Sequence, residues 1–232
     1  MRHTGDRPFL SLVIPAFNEE QGIAQAITEA DDALSGLGYD YEILVVDDGS
    51  DDSTVASAQA AAVGRPRVRV LRHEKNRGYG AALRTGFEAA RGELVAFTDA
   101  DCQFDLTDLR RLIPLTRQAP VAVGYRLDRK DPWRRRFLSA GYNLLIRLML
   151  GTRVRDVDCA LKVFRRDALQ HLLPKSCNFF VNTEMLTRAR QCGMDVRQVG
   201  VSHRPRRSGQ SKVSMGDVPR TLRTLLPFWW SQ

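Results

Sequence analysis

Cysteine is scarce in this chain of 232 residues, and its distribution excludes the structural uses of cysteine. The four cysteines are widely spaced, without a Cys-x-x-Cys pair or a histidine at zinc-finger spacing: Cys102, Cys159, Cys177 and Cys192. We therefore predict neither a disulfide framework nor a structural zinc site. The pattern is typical of a reduced, cytosolic protein.

Long apolar segments are also absent. No apolar run reaches the roughly 20 residues that span a bilayer. The polar N-terminus, Met1 to Pro8, lacks the apolar core of a signal peptide. We expect that the chain neither crosses a membrane nor enters a secretory route.

Two common nucleotide-binding motifs are missing. A dinucleotide oxidoreductase needs Gly-x-Gly-x-x-Gly after its first strand, where this chain has Pro15-Ala-Phe-Asn-Glu-Glu20. A Walker loop is absent too, because the Lys212 region lacks both its spacing and the preceding strand.

Charge is divided unevenly along the chain, whose formal net charge is +8. Residues 1–120 contain 13 Lys and Arg against 19 Asp and Glu, for a charge of −6. Residues 121–232 contain 22 against 8, for a charge of +14. The second half therefore points to an anionic partner, for which nucleic acid, phospholipid and phosphorylated substrates are all candidates.

Short apolar runs alternate with segments of helical spacing through the first half. Leu10–Pro15 is an apolar run, and in Glu19–Leu37 apolar residues recur every three to four positions. Further strands are predicted at Tyr41–Val46, Val68–Leu71, Leu94–Thr98 and Val121–Val123, and helices at Ser53–Val63, Tyr79–Arg91 and Leu106–Gln118. This alternation predicts an α/β fold, a mostly parallel sheet flanked by helices in a single domain.

The second half is less regular. It predicts a helix at Trp133–Leu150 with a wide apolar face, a strand at Val157–Arg165, a helix at Thr183–Gln191 and a strand at Val196–Ser202. A polar basic loop at His203–Lys212 and a short amphipathic segment at Asp217–Trp230 follow. Without a repeat or a long linker, one domain with two functional halves is expected, residues 9–123 and 124–232.

Acidic side chains follow two of the predicted strands. Asp47 and Asp48 end the second strand, and Asp99 and Asp101 end the fourth. Ligands of open parallel sheets bind at this edge, although Asp-Asp-Gly-Ser is equally typical of a turn and helix cap. If residues 99–103 are extended, Asp99, Asp101 and Gln103 project the same way and offer oxygen ligands to Mg²⁺ or Mn²⁺.

Four segments together resemble family 2 of the glycosyltransferases: Val13-Ile-Pro-Ala-Phe-Asn-Glu-Glu20, Val45-Val-Asp-Asp-Gly-Ser50, Asn76-Arg-Gly-Tyr-Gly-Ala-Ala-Leu83 and Asp99-Ala-Asp-Cys-Gln103. The resemblance covers about residues 9–215 and implies the GT-A fold, a Rossmann-like arrangement. Gln103 and the segment Arg206-Arg-Ser-Gly-Gln-Ser-Lys212 favour the polyprenyl-phosphate sugar synthases, such as dolichyl-phosphate mannose synthase and undecaprenyl-phosphate glucosyltransferases.

The resemblance also implies roles for individual residues. The nucleotide pocket would be lined by Pro15, Ala16, Asn18 and Glu20, with Asp48 on the base or ribose. The metal would be held by Asp99, Asp101 and Gln103, and the donor diphosphate covered by Arg206, Ser211 and Lys212. The acceptor phosphate would be received by Arg126, Arg129 and Ser139. Asp101, Arg126 and Glu184 are the catalytic candidates, and the segment Asp156–Lys162 would shape the sugar pocket.

The implied reaction is the metal-dependent, inverting transfer of a hexose from a nucleoside-diphosphate sugar, of GDP-mannose or UDP-glucose type, to a polyprenyl phosphate. A phosphate acceptor is mostly dianionic at neutral pH, so it needs compensating cations rather than a base. Arginine pairs bidentately with phosphate. Helix 133–150 would then lie at the inner face of the cell membrane as a peripheral contact, although a core helix remains an alternative.

Other functions compete with this interpretation. A soluble saccharide or another non-lipid acceptor would use the same first half, and a protein that binds nucleotide sugar without turnover would carry the same acids. A basic nucleic-acid binder lacks a recognisable reading motif, and a phosphatase or phosphomutase leaves Asp47 and Asp48 unexplained. The sugar, the nucleobase and the oligomeric state are not determined by the sequence.

Overall fold

Seven strands form one sheet in the part of the chain that the computed structural model describes, residues 7–127, 141, 151 and 154–205. The strands are β1 (Leu10–Ala16), β2 (Tyr41–Asp47), β3 (Val68–Arg72), β4 (Leu94–Phe97), β5 (Val121–Arg126), β6 (Lys162–Arg165) and β7 (Val196–Val201). Their order across the sheet is β3-β2-β1-β4-β6-β5-β7. The predicted α/β fold with a mostly parallel sheet is confirmed.

One strand runs against the others. β6 is antiparallel to both of its neighbours, whereas the pairs β1–β2, β1–β4, β2–β3 and β5–β7 are parallel. The amino end of β6 therefore lies at the same edge of the sheet as the carboxyl ends of the parallel strands. At that edge Lys162 is in register with Phe97 of β4 and with Val123 of β5.

The apolar strands are buried on both faces. All residues of β1, β2 and β4 are buried, as expected for strands that helices cover from two sides. The aromatic centre of the core lies between helix α3 (Tyr79–Ala89) and the middle of the sheet, where the ring of Phe87 packs edge-on against Phe97 and Phe164. Buried aromatic area of this kind contributes strongly to stability.

The first three helices lie where the apolar spacing predicts them. In α1 (Ile23–Ser35) the buried residues are Ile23, Ala26, Ile27, Ala30 and Leu34, one face at helical spacing. α2 (Thr54–Ala62) and α3 follow within a few residues of their predicted bounds. No described helix has both the length and the apolarity needed to cross a membrane.

The predicted helix at 106–118 is broken into three parts. A 3₁₀ turn at Leu106–Asp108 precedes α4 (Leu109–Leu112), and a second 3₁₀ segment covers Ile113–Arg117. Asp105 accepts a hydrogen bond from the backbone N–H of Thr107 and starts the first turn. Pro114 lacks the N–H that a continuous α-helix requires, so the helix ends there.

The second half departs further from the sequence pattern. The strand predicted at 157–165 was too long, because residues 156–159 form a turn in which the N–H of Cys159 bonds the carbonyl oxygen of Asp156. α5 (Arg166–Leu172) was not predicted, whereas α6 (Val181–Gln191) was. The predicted segment 217–230 lies outside the described residues, and so does the segment 133–150 except for residue 141.

Candidate active site

Loops from both halves of the chain meet at the carboxyl edge of the sheet. β1 and β2 lead into the loops that contain Asn18 and Asp48, and β4 leads into the segment Asp99–Gln103, here called the acid turn. The turn that precedes β6 joins them from the second half. The sequence predicted this convergence because the acids directly follow strands.

The loops after β1 and β2 are tied to each other. The backbone N–H of Asn18 donates to the Ser50 hydroxyl at 2.9 Å, and the Asn18 side-chain oxygen accepts from the N–H of Asp51 at 3.0 Å. Asn18 has a φ of 50°, a conformation that asparagine tolerates better than most residues. The Glu20 carboxylate accepts from the N–H of Ser53 at 3.1 Å. The nucleotide-pocket candidates on these loops thus have fixed backbone positions.

The end of β1 carries the other two pocket candidates. Pro15 and Ala16 are buried and are in register with Val46 and Asp47 of β2. Their predicted contact with a nucleotide stays a prediction.

Asp47 forms the turn that the Asp-Asp-Gly-Ser sequence allows. Its carboxylate accepts hydrogen bonds from the N–H and the hydroxyl of Ser50. Gly49 has a φ of 70°, and a Cβ there would meet the backbone of Lys75 at 2.3 Å. Only glycine fits this close approach. Because its carboxylate holds Ser50, Asp47 is a structural residue of the turn.

Asp48 is the centre of a buried hydrogen-bond network. Its carboxylate accepts from the N–H groups of Arg77 and Gly78 at 2.9 and 2.8 Å and lies 2.7 Å from Nδ1 of His73. The other ring nitrogen of His73 lies 2.9 Å from the Thr85 hydroxyl. Asp48 therefore anchors the loop before α3. Its predicted contact with the base or ribose is untested, and no local sequence signal marked His73 as its partner.

The acid turn is not extended, so the alternation expected for residues 99–103 was wrong. The chain turns at Ala100 and Asp101, and Cys102 adopts a φ of 55°. The N–H of Gln103 donates to the Asp101 carboxylate at 3.2 Å, which closes the turn. The Gln103 side-chain amide donates to the carbonyl oxygen of Arg204 at 3.3 Å. Residues 99–103 thus form a tight turn rather than an alternating strand.

The oxygen donors of the acid turn suit a hard divalent cation. Mg²⁺ is commonly bound by one or two carboxylates together with water and substrate phosphates, and Asp99 and Asp101 supply two carboxylates within three residues. Among the described residues, no group of three or more His, Cys, Asp or Glu is placed to hold a metal ion. The residues fit a site that the substrate's phosphates would complete.

Tyr79 holds one of these carboxylates. Its hydroxyl donates to Oδ1 of Asp99 at 2.8 Å. Burial raises the pKa of Tyr79 well above its usual value, and the charges of Asp99, Asp101 and Asp158 add to the rise. The hydroxyl therefore stays protonated and remains a donor at neutral pH.

A buried lysine lies below the acid turn. The Lys162 ammonium donates to the carbonyl oxygen of Cys159 and to the Asn182 side chain, and it lies 5.1 Å from the centre of the Phe97 ring. Burial lowers the pKa of Lys162. The acidic groups that oppose this effect are Cys159, Asp158, Asp156 and Asp99. From the sequence, Lys162 was predicted only as part of a segment that shapes the sugar pocket, and its burial was not predicted.

Arg126 is paired with a carboxylate of the chain itself. Its guanidinium contacts both oxygens of Asp156, at 2.7 and 2.8 Å, and each side chain is 8% exposed. Burial lowers the pKa of Arg126, but Asp156 outweighs burial and raises it, so the guanidinium stays charged. The predicted acceptor role of Arg126 is untested. Other predicted site residues lie outside the described residues: Arg129, Ser139, Arg206, Ser211 and Lys212.

Glu184 contacts backbone rather than an open surface. Its carboxylate accepts from the N–H groups of Lys175 and Ser176 at 2.9 and 2.8 Å and lies 2.7 Å from the Arg188 guanidinium. Burial raises the pKa of Glu184, but these donors outweigh burial and lower it. These are the contacts of a residue that positions a loop, and the predicted catalytic role stays a prediction.

Solved structures share this fold. A crystal structure of glucosyl-3-phosphoglycerate synthase from Mycobacterium tuberculosis, in complex with Mn²⁺, UDP and glucosyl-3-phosphoglycerate, superposes with a TM-score of 0.72. The identity is 24%, and the alignment covers 95% of this chain and 78% of that one. The fold is thus GT-A, as the resemblance implied.

Three curated relatives match most of this chain. Glycosyltransferase AglD of Haloferax volcanii is 34% identical over 95% of this chain and 37% of its own length. The dodecaprenyl-phosphate galacturonate synthase of Rhizobium johnstonii is 31% identical over 94% of this chain and 64% of its own. The undecaprenyl-phosphate 4-deoxy-4-formamido-L-arabinose transferase of Edwardsiella ictaluri is 33% identical over 89% of this chain and 63% of its own length. The chain spans less than two thirds of the length of each relative.

The family resemblance is confirmed by the match to Glycosyl transferase family 2, which covers residues 11–173. That range includes β1 except Leu10, all of β2 to β6, and the whole acid turn. The chain belongs to glycosyl transferase family 2.

Proposed function

We propose that the chain is a metal-dependent, inverting glycosyltransferase that moves a hexose from a nucleoside-diphosphate sugar to a polyprenyl phosphate. The observation that carries the donor half of this proposal is the acid turn. Its two carboxylates lie at the carboxyl edge of the sheet, beside the tied loops after β1 and β2. Two relatives with polyprenyl phosphates in their names support the acceptor class.

Charge governs the chemistry of such a transfer. An acceptor phosphate oxygen attacks the anomeric carbon, the bond from that carbon to the donor diphosphate breaks, and the nucleoside diphosphate leaves with the bonding electrons. A divalent cation bound at the acid turn would offset the negative charge that grows on the leaving group. Asp99 and Asp101 are the residues that would hold it.

The protein's own contribution is preorganisation. The loops after β1 and β2 would line the nucleotide-sugar pocket in a fixed conformation, because hydrogen bonds join Asn18 to Ser50 and to Asp51. Asp48 fixes the loop before α3 through two backbone N–H groups. Groups that are already oriented need no rearrangement as charge develops, and this is usually a large catalytic term.

The acceptor half of the proposal rests on charge and chemistry. Residues 121–232 carry a formal charge of +14, which favours the approach of a dianionic phosphate to an already anionic donor. A phosphate monoester needs no general base at neutral pH. Contact with the inner face of the cell membrane, where such lipids are presented, is part of the same proposal.

The test is the transfer of radiolabelled sugar from UDP- and GDP-sugars to undecaprenyl phosphate, compared with soluble saccharides. Label in the organic phase is expected. Label found only in water-soluble product would reject the lipid acceptor and favour a soluble one.

Two variants separate the site from the fold. We expect Asp101→Ala to lower turnover by about 10²-fold or more, as for other losses of transition-state electrostatics, without loss of folding. Asp167→Ala is the matched control, because Asp167 is exposed and pairs with Arg165 at the opposite end of β6. Equal activity of Asp101→Ala and the control would reject the donor site.

A further inference from the structure

Tyr79 joins the start of α3 to the acid turn. It is the first residue of α3, and its hydroxyl lies 2.8 Å from Oδ1 of Asp99. Its ring stacks on that of Phe179 with the centroids 5.1 Å apart. A hydroxyl at one end and a stacked ring along the side chain leave Tyr79 little rotational freedom.

The backbone on both sides of Tyr79 is also fixed. The N–H of Gly78 donates to Asp48 at 2.8 Å, and the N–H of Gly80 donates to the carbonyl oxygen of Cys177 at 2.9 Å. A Cβ at either glycine would lie 2.0 to 2.3 Å from a backbone oxygen of residues 176–177. The two glycines thus let that loop pack directly on the helix start.

The loop that packs on these glycines is itself held in place. Glu184 accepts from the N–H groups of Lys175 and Ser176, and the Arg84 guanidinium donates to the carbonyl oxygen of Lys175 at 3.0 Å. The position of the Tyr79 hydroxyl is therefore set by the scaffold and not by Asp99. Asp99 orients towards a donor that is already in place.

A fixed donor of this kind changes what a carboxylate can do. One oxygen is engaged by the hydroxyl, so rotation of the carboxylate about its last bond is restricted. Outer hydrogen bonds of this type commonly alter metal affinity by about 10- to 100-fold.

We propose that Tyr79 is a positioning residue that holds the Asp99 carboxylate in the orientation in which it binds the divalent cation. This inference rests on the proposed function, because it assigns a cation to the acid turn. It adds a residue that would act on the cation through Asp99. The three residues of the Gly-Tyr-Gly sequence at 78–80 then act together. The glycines let residues 176–177 pack on the start of α3, and the tyrosine hydroxyl donates to Asp99.

The experiment measures Mn²⁺ affinity by isothermal titration in the presence of UDP or GDP. Tyr79→Phe keeps the ring stacked on Phe179 and removes only the hydroxyl. We expect its Mn²⁺ dissociation constant to rise by about 10- to 100-fold. The apparent KM for Mn²⁺ should rise similarly, with most of kcat recovered at saturating Mn²⁺.

Tyr41→Phe is the matched control. The Tyr41 hydroxyl also donates to a carboxylate, that of Asp31 at 2.6 Å, but this contact joins α1 to the start of β2. Its Mn²⁺ affinity should equal that of the wild type. Should Tyr79→Phe fail to fold, Phe179→Ala keeps the hydroxyl and frees the ring, and a several-fold rise of the dissociation constant is then expected.

The outcomes separate this inference from the function beneath it. If the wild type binds Mn²⁺ with nucleotide and transfers sugar, but Tyr79→Phe has an unchanged Mn²⁺ affinity, the positioning role is overturned and the function stands. If the wild type neither binds Mn²⁺ nor transfers sugar, the proposed function fails and this inference fails with it.

Discussion

Replacement of Glu184 by glutamine tests whether this buried acid holds a loop or takes part in chemistry. The carboxylate is 1% exposed and accepts from two backbone N–H groups, those of Lys175 and Ser176, while Arg188 lies 2.7 Å away. Glutamine keeps one acceptor oxygen and turns an NH₂ group towards the second N–H. One N–H of this partly buried loop then lacks its acceptor, and the pairing with Arg188 loses its charge.

The expected loss follows from these contacts. An unsatisfied buried N–H costs about 1–3 kcal/mol, and hydrogen bonds to a charged group are worth about 1.5–3 kcal/mol. We expect a loss of about 3 kcal/mol in the free energy of unfolding. In a chain of this size that lowers Tm by roughly 6–12 °C. Denaturant unfolding gives the value directly.

The pH dependence has a definite direction. Because the pKa of Glu184 is lower in the folded state, its contribution is complete above the unfolded pKa and is lost as the pH falls through the folded pKa. The stability gap between wild type and Glu184→Gln should be full at neutral pH and narrow in acid. Glu88→Gln, an exposed change on α3, should shift stability by less than about 0.5 kcal/mol. Unchanged stability of Glu184→Gln with loss of turnover would refute the loop-holding role and favour catalysis.

Three further changes test the packing around the site. Gly80→Ala brings a Cβ to 2.0 Å from a backbone oxygen, so we expect the free energy of unfolding to fall by about 1–3 kcal/mol. In the control Gly36→Ala the Cβ meets only contacts of 3.5 Å, so stability should not change. Equal effects of the two changes on thermal unfolding would contradict the packing. Cys102→Val forces a β-branched residue to a φ of 55° and should cost about 1–3 kcal/mol, whereas Cys102→Gly should be tolerated. Arg126→Met removes the guanidinium that pairs with the buried Asp156 carboxylate and should cost about 3–5 kcal/mol, much of which Arg126→Met with Asp156→Leu should recover. A single variant as stable as the wild type would refute the structural role of this pair.

Local pattern predicted most of the framework. Apolar runs and helical spacing gave β1, β2, α1 and α3 to within a few residues, because each of these elements buries a continuous face of its own sequence. The acids at the sheet edge were found for the same reason, since they directly follow strands.

Partners far apart in the chain were not predictable. Arg126 and Asp156, or Lys162 and Asn182, carry no local sign that they will pair. The acid turn was misread because a single left-handed residue, Cys102, decides between an extended segment and a turn. Single sequences record the composition of a site better than its hydrogen bonds.

The reversed strand β6 also governs how the molecule can be divided. In the described residues its ladder with β4 is the sole strand pairing that joins β1 to β4 to the rest of the sheet. This seam requires residues 94–97 to meet residues 162–165, a long-range pairing of the kind that forms slowly. A fragment that ends near residue 123 would leave the edge of β4 without a hydrogen-bonded partner strand, and exposed edges of this kind promote self-association. The sheet is therefore completed only when strands from both parts of the sequence meet.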